Sequence, residues 1–107
     1  QADDGVAVSN NTLGREDMHR SEILDTAKKY VTKDRAADHG DMEDNFTLIA
    51  KYWSLHLDMT VEAYDVAAMM TMLKLARLKS NPQNSENWVD GCGYLACGGE
   101  IKIKDGK

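Results

Sequence analysis

TVEAYDVAAMMTMLKLARLKSNP, residues 60–82, is the segment that sets the architecture of this 107-residue chain. Its centre, VAAMMTML, is apolar nearly all the way round a helix. That pattern predicts a helix, third in chain order, from Val61 to about Lys79, started by Thr60 and buried on several sides. Asn81-Pro82 ends it, because a residue before proline is pushed out of the α region. Upstream, Asp41 is the natural cap of a second helix running to about Leu57, with an apolar stripe of Phe46, Ile49, Ala50, Trp53 and Leu57. Lys33 to Gly40 reads as a connection. Ser21 caps a first helix, with Glu22 and Asp25 near its positive end and Ile23, Leu24, Ala27, Tyr30 and Val31 repeating at helical spacing. Downstream, Ser85 opens a fourth helix from Glu86 to about Cys97, stopped by Gly98-Gly99 as a left-handed cap. Within it Gly91, Gly93 and Ala96 would let another helix approach closely.

These elements specify an all-α fold, a small four-helix bundle over residues 21–97. Residues 1–20 carry no apolar period and read as an N-terminal arm, and 98–107 read as a C-terminal tail whose EIKIKDGK alternates like a short strand or a loose end. Met69, Met70 and Met72 lie on opposing faces of the third helix, which is most simply explained by a core shared between chains.

The composition, 42% hydrophobic and 29% charged, is that of a soluble globular domain. No apolar run approaches the ~18 residues of a membrane span, and no secretory signal pattern precedes the first helix. With 13 Lys and Arg against 18 Asp and Glu, the net charge is −5, which argues against a sequence-independent grip on nucleic acid. Cys92 and Cys97 would stand about 140° apart around a helix, too far for an easy bridge, and fit no zinc spacing. They read as reduced core residues of a cytosolic protein.

The acidity is concentrated. Residues 34–44, DRAADHGDMED, hold five acids against one Arg. Asp41 and Asp44 stand three apart, and Glu62 and Asp65 repeat that spacing with seventeen residues between the two pairs. Residues three apart share a helix face, so two such pairs on antiparallel helices can aim four carboxylates at one point. Four carboxylates in one cleft repel unless a cation neutralises them, and oxygen-only ligands suit Mg²⁺ or Mn²⁺. The same four positions read more simply as caps and first-turn acids opposing the helix dipole. Both readings stand on spacing alone. Lys74 and Arg77 are either a pair at the helix's cationic end or a phosphate clamp. Asp90, among Trp88, Val89 and Cys92 with Tyr94 four residues on, predicts either a buried cationic partner or a ligand contact.

The blocks RAADHGDMEDNF, DVAAMMTMLKLARL and NWVDGCGY resemble a family of small phage and prophage proteins across about residues 21–97. More remotely, the order of parts resembles the MazG-like all-α nucleoside triphosphate pyrophosphohydrolases, whose signature is ExxE, a gap, then ExxD. Here the second half stands as Glu62-Ala63-Tyr64-Asp65, while the first is Asp41-Met42-Glu43-Asp44, a DxxD departure. The resemblance implies a homodimer or homotetramer acting in the cytoplasm of a bacterial host, with two chains at each site. It also implies Mg²⁺-dependent cleavage of an NTP or dNTP to the monophosphate and pyrophosphate. Carried over, Asp41, Asp44, Glu62 and Asp65 would hold the metal, and Glu43 or Asp44 would orient the attacking water. The chemistry of the residues adds Arg35, Lys74 and Arg77 as phosphate contacts, and Asn45, Asp90 and Tyr94 as nucleotide contacts. The alternative is a non-catalytic phage accessory protein that binds a nucleotide or a host protein on the same bundle.

Overall fold

The computed structural model describes residues 18–34 and 41–105. These residues form four helices and no strand: α1 (Arg20–Lys29), which runs into one π turn (Tyr30–Asp34), α2 (Met42–Leu57), α3 (Ala63–Ser80) and α4 (Ser85–Asp105). The all-α expectation holds. The arm over residues 1–17 and the connection over 35–40 lie outside the described residues.

Local chemistry sets most of the ends. His19, not Ser21, precedes α1, and its N–H donates to the Glu22 carboxylate three residues on. Asp41 caps α2 as its sequence position demands, its Oδ1 accepting from the N–H of Glu43 at 2.8 Å and of Asp44 at 3.2 Å. Such a cap is worth about 1 kcal/mol. Asp58 closes α2 at φ 54°, a left-handed conformation that Asp tolerates better than most residues. Ser54 then fixes the α2–α3 connection, accepting from Val61 N–H at 2.7 Å and donating to Val61 O at 3.1 Å. With Val61 held there, α3 starts at Ala63 behind Glu62, two residues later than Thr60 suggests. Asn84 Oδ1 accepts from Glu86 N–H at 2.8 Å and so helps start α4.

The fourth helix corrects the sequence reading most. It does not stop at Gly98-Gly99 but runs unbroken to Asp105, so residues 98–105 of the expected tail are two more turns of α4. Those turns carry Ile101, 2% exposed, into the core with Phe46, Ala50, Val66, Ala67 and Cys97. They also place the Lys102 ammonium 4.5 Å from the centre of the Tyr64 ring and bond Lys104 Nζ to Glu43 Oε1 at 2.6 Å. Burial of Ile101 outweighs the weak helix propensity of two glycines. Gly98 also lets α4 lie close against α3: a Cβ there would stand 2.7 Å from Ala67 Cβ.

The core lies where α2, α3 and α4 meet, with α3 and α4 in the most extensive contact and α1 packed on α4. One face of α3 is therefore covered, by Val66, Ala67, Thr71 and Lys74. The rest is not, and Met72 is 57% exposed, with Met69, Leu73 and Leu75 also open. Among the described residues burial of α3 on several sides is thus not achieved, because the other helices cover only one face.

Candidate functional site

Between α1, α2 and α4 lies a cleft of about 260 Å³. Helical spacing places its lining: Ala27, Tyr30 and Val31 from α1 and its π turn; Met42, Asn45, Phe46 and Ile49 from α2; Val89, Asp90, Gly93, Tyr94 and Cys97 from α4. Gly93 keeps α1 near, since a Cβ there would meet Val31 Cγ1 at 3.2 Å. The Phe46 and Tyr94 rings sit 6.2 Å apart at a 33° tilt and form an aromatic wall.

Asp90 is the polar anchor of this cleft. Its carboxylate is only 8% exposed and binds Lys74 Nζ at 3.0 Å, the ammonium side chain being 10% exposed. Lys74 therefore points inward from α3 to neutralise Asp90 and is not an outward phosphate clamp. Asp90 so takes the buried cationic partner that its apolar stripe predicts and, at the same time, faces the cleft.

The candidates fall into separate places. Asn45, Asp90 and Tyr94, chosen for nucleotide contacts, converge on the cleft. Glu43 and Glu62 line an open groove on the other side of α2, with Thr47, Lys51 and Ser54. Asp41 caps α2, and Asp65 Oδ2 accepts from Glu62 N–H at 2.9 Å at the start of α3. Glu43 is engaged by Lys104, which leaves Asp44, exposed in the first turn of α2, as the freer of the two candidates for orienting water. Arg77 is exposed at the far end of α3, and Arg35 lies outside the described residues. Among the described residues no three His, Cys, Asp or Glu side chains gather as a metal site. One chain does not present the four-carboxylate cage that the spacing allows, because Asp41 and Asp65 are drawn to the main-chain amides at the starts of their own helices, Glu62 lines the groove and Asp44 faces solvent.

Spacing did not bring Tyr30 or Cys97 forward as cleft residues. Tyr30 belongs to the apolar stripe of α1, but the π turn that seats it at the cleft leaves no sequence signal. Both cysteines are free, Cys97 buried and Cys92 half-buried. Burial, with the nearby Glu100 carboxylate adding repulsion, pushes the Cys97 thiol above its ordinary range. Iodoacetamide at pH 8 should therefore label Cys92 well before Cys97, as read by peptide mass spectrometry. Because folding favours the protonated thiol, this contribution to stability is complete below the unfolded thiol's pKa and is lost as pH climbs through the raised folded value. Equal labelling rates would mean that Cys97 is not sequestered.

Residues 22–102 match the family described as Domain of unknown function (DUF6378). The chain belongs to this family. DUF6378 thus takes in nearly all of the described helices, including the α4 extension beyond Gly99. Among its relatives, the Gene 55 protein of Mycobacterium phage L5 is 39% identical over 75 residues, 67% of this chain and 47% of that protein. The Gene 55 protein of Mycobacterium phage D29 is 31% identical over 75 residues, 70% of this chain and 50% of that protein. The chain spans about half the length of these curated relatives. No solved structure matches it. The likeness to small phage proteins is thereby established for this DUF6378 chain. Among its described residues no helix is long and apolar enough to cross a membrane.

Proposed function

We propose that this DUF6378 protein binds a nucleotide, with the base in the α1–α2–α4 cleft. The observation that carries the reading is the convergence of Asn45, Asp90 and Tyr94 on one mainly apolar cleft. Ligand sites combine apolar and aromatic walls with a few placed polar groups, and this cleft has that character. At about 260 Å³ it lies just below the usual range for whole ligands, so it fits a base and leaves sugar and phosphates outside. The Phe46–Tyr94 wall would lie against the ring, while Asn45 and Asp90 would meet polar groups on its edge.

Resemblance to the MazG-like enzymes extends the proposal to Mg²⁺- or Mn²⁺-dependent cleavage of an NTP or dNTP to the monophosphate and pyrophosphate. Mg²⁺ commonly binds through one or two carboxylates together with substrate phosphates, so no preassembled cage is required. One observation favours the second reading, a phage accessory protein that binds a nucleotide or host protein without chemistry. Asp41 and Asp65 already serve the ends of their own helices, and Glu43 is paired with Lys104.

Calorimetric titration with nucleotides, beside chromatography of an NTP and dNTP panel incubated with Mg²⁺, separates these readings. Binding that weakens in Asn45→Ala supports the cleft. Release of pyrophosphate, abolished in Asp65→Ala while binding persists, supports the enzyme; binding without turnover supports the accessory protein. Folded protein that binds no nucleotide would sink the proposal.

A further inference from the structure

α3 presents to solvent a face that carries no charge between Asp65 and Arg77, since Lys74 is turned inward. Down the middle of that face run Asp65, Ala68, Met72, Ala76 and Lys79, at successive spacings of three, four, four and three residues. The pattern reads the same in both directions about Met72 except in its end charges, which are opposite. Residues seven apart drift by only about 20° around a helix, so Asp65, Met72 and Lys79 form one nearly straight stripe.

We propose that this face is the contact between two copies of the chain, packed with their α3 helices antiparallel about a two-fold axis at Met72. In that register each position before Met72 meets the position equally far beyond it on the other copy. Asp65 opposes the partner subunit's Lys79, Ala68 opposes the partner subunit's Ala76, and Met72 meets its own equivalent. The alanines let the backbones approach, and the methionines fill the seam. Such an interface is self-complementary, as a closed two-fold dimer requires. A parallel pairing would set Asp65 on Asp65 and Lys79 on Lys79, so the end charges select the antiparallel one.

A second exposed apolar stripe, Leu48, Tyr52 and Leu55 on α2, does not have this property. It is edged by Asp44, Lys51 and Asp58, and about its own centre like charges meet in either orientation, acid on acid at the ends and Lys51 on Lys51 between them. Charge complementarity therefore assigns the second copy to α3. The inference stands independently of nucleotide binding.

Light scattering of the full chain tests it. The expected mass is twice 11.9 kDa. Met72→Glu, at an exposed position, should leave the helical circular dichroism intact and give the monomer mass. Lys79→Glu should raise the dissociation constant several-fold by opposing two acids. In a Cys92→Ser background, Met72→Cys should close a disulfide-linked dimer on mild oxidation, because position 72 faces itself across the axis. A monomeric wild type, a dimer that survives Met72→Glu, or a Met72→Cys chain that does not cross-link would each overturn the proposal.

Discussion

Replacing Lys74 with alanine is expected to cost about 3–5 kcal/mol of folding stability, the usual effect of removing one partner of a buried ion pair. The carboxylate left behind is the reason. Asp90 is 8% exposed, its partner ammonium stands 3.0 Å away, and the cleft wall offers it little solvent when that ammonium is gone. For a domain of this size each kcal/mol moves the melting temperature by about 4 °C or more, so the loss is easily read by thermal or urea denaturation. Replacing the pair together, Lys74→Met with Asp90→Leu, should recover most of the loss, because well-packed apolar residues can take over from a buried pair. The same double variant should fold and yet fail to bind nucleotide if Asp90 meets the base. Stability and binding are thereby separated at one residue. A single Lys74→Ala variant that loses less than about 1 kcal/mol would mean that the pair is solvated in solution.

Much of this arrangement was legible in the residue order. Apolar repeats placed the first two helices, an apolar centre the third and Ser85 the start of the fourth, while Asp41 marked the start of α2 and Asn81-Pro82 the end of α3. Those signals are local, and local chemistry decides them. Asn45, Asp90 and Tyr94 were identifiable as polar or aromatic groups beside apolar stripes. That Lys74 reaches Asp90 was not, because which residues meet between α3 and α4 depends on helix packing rather than on either helix alone. The carboxylate pairs were ambiguous for a deeper reason. A metal ligand pair and a helix start both call for acids three apart in a first turn, so spacing cannot tell them apart, and here main-chain amides engage Asp41 and Asp65.

Gly98-Gly99 shows the same limit, and the two glycines should answer alanine in opposite ways. Sequence alone makes them a stop signal, yet both lie inside α4. Within a helix, glycine-to-alanine gains about 0.5–1 kcal/mol by restricting the unfolded chain. Gly99 should show this gain, since no neighbouring atom lies within 4 Å of a Cβ built there. At Gly98 the new methyl would stand 2.7 Å from Ala67 Cβ and 3.7 Å from Tyr64 O, both on α3. A side-chain methyl carried on a packed helix cannot swing aside, so α3 and α4 must separate. Overpacking of this kind costs about 1–3 kcal/mol and outweighs the entropic gain. Gly98→Ala should therefore melt several degrees below the wild type and Gly99→Ala slightly above it. Ala67→Gly should restore most of the stability of Gly98→Ala, because it removes the atom that the methyl strikes. If both glycine variants gained stability, α3 and α4 would not be in the close contact on which the burial of Ile101 and the placement of Asp90 depend.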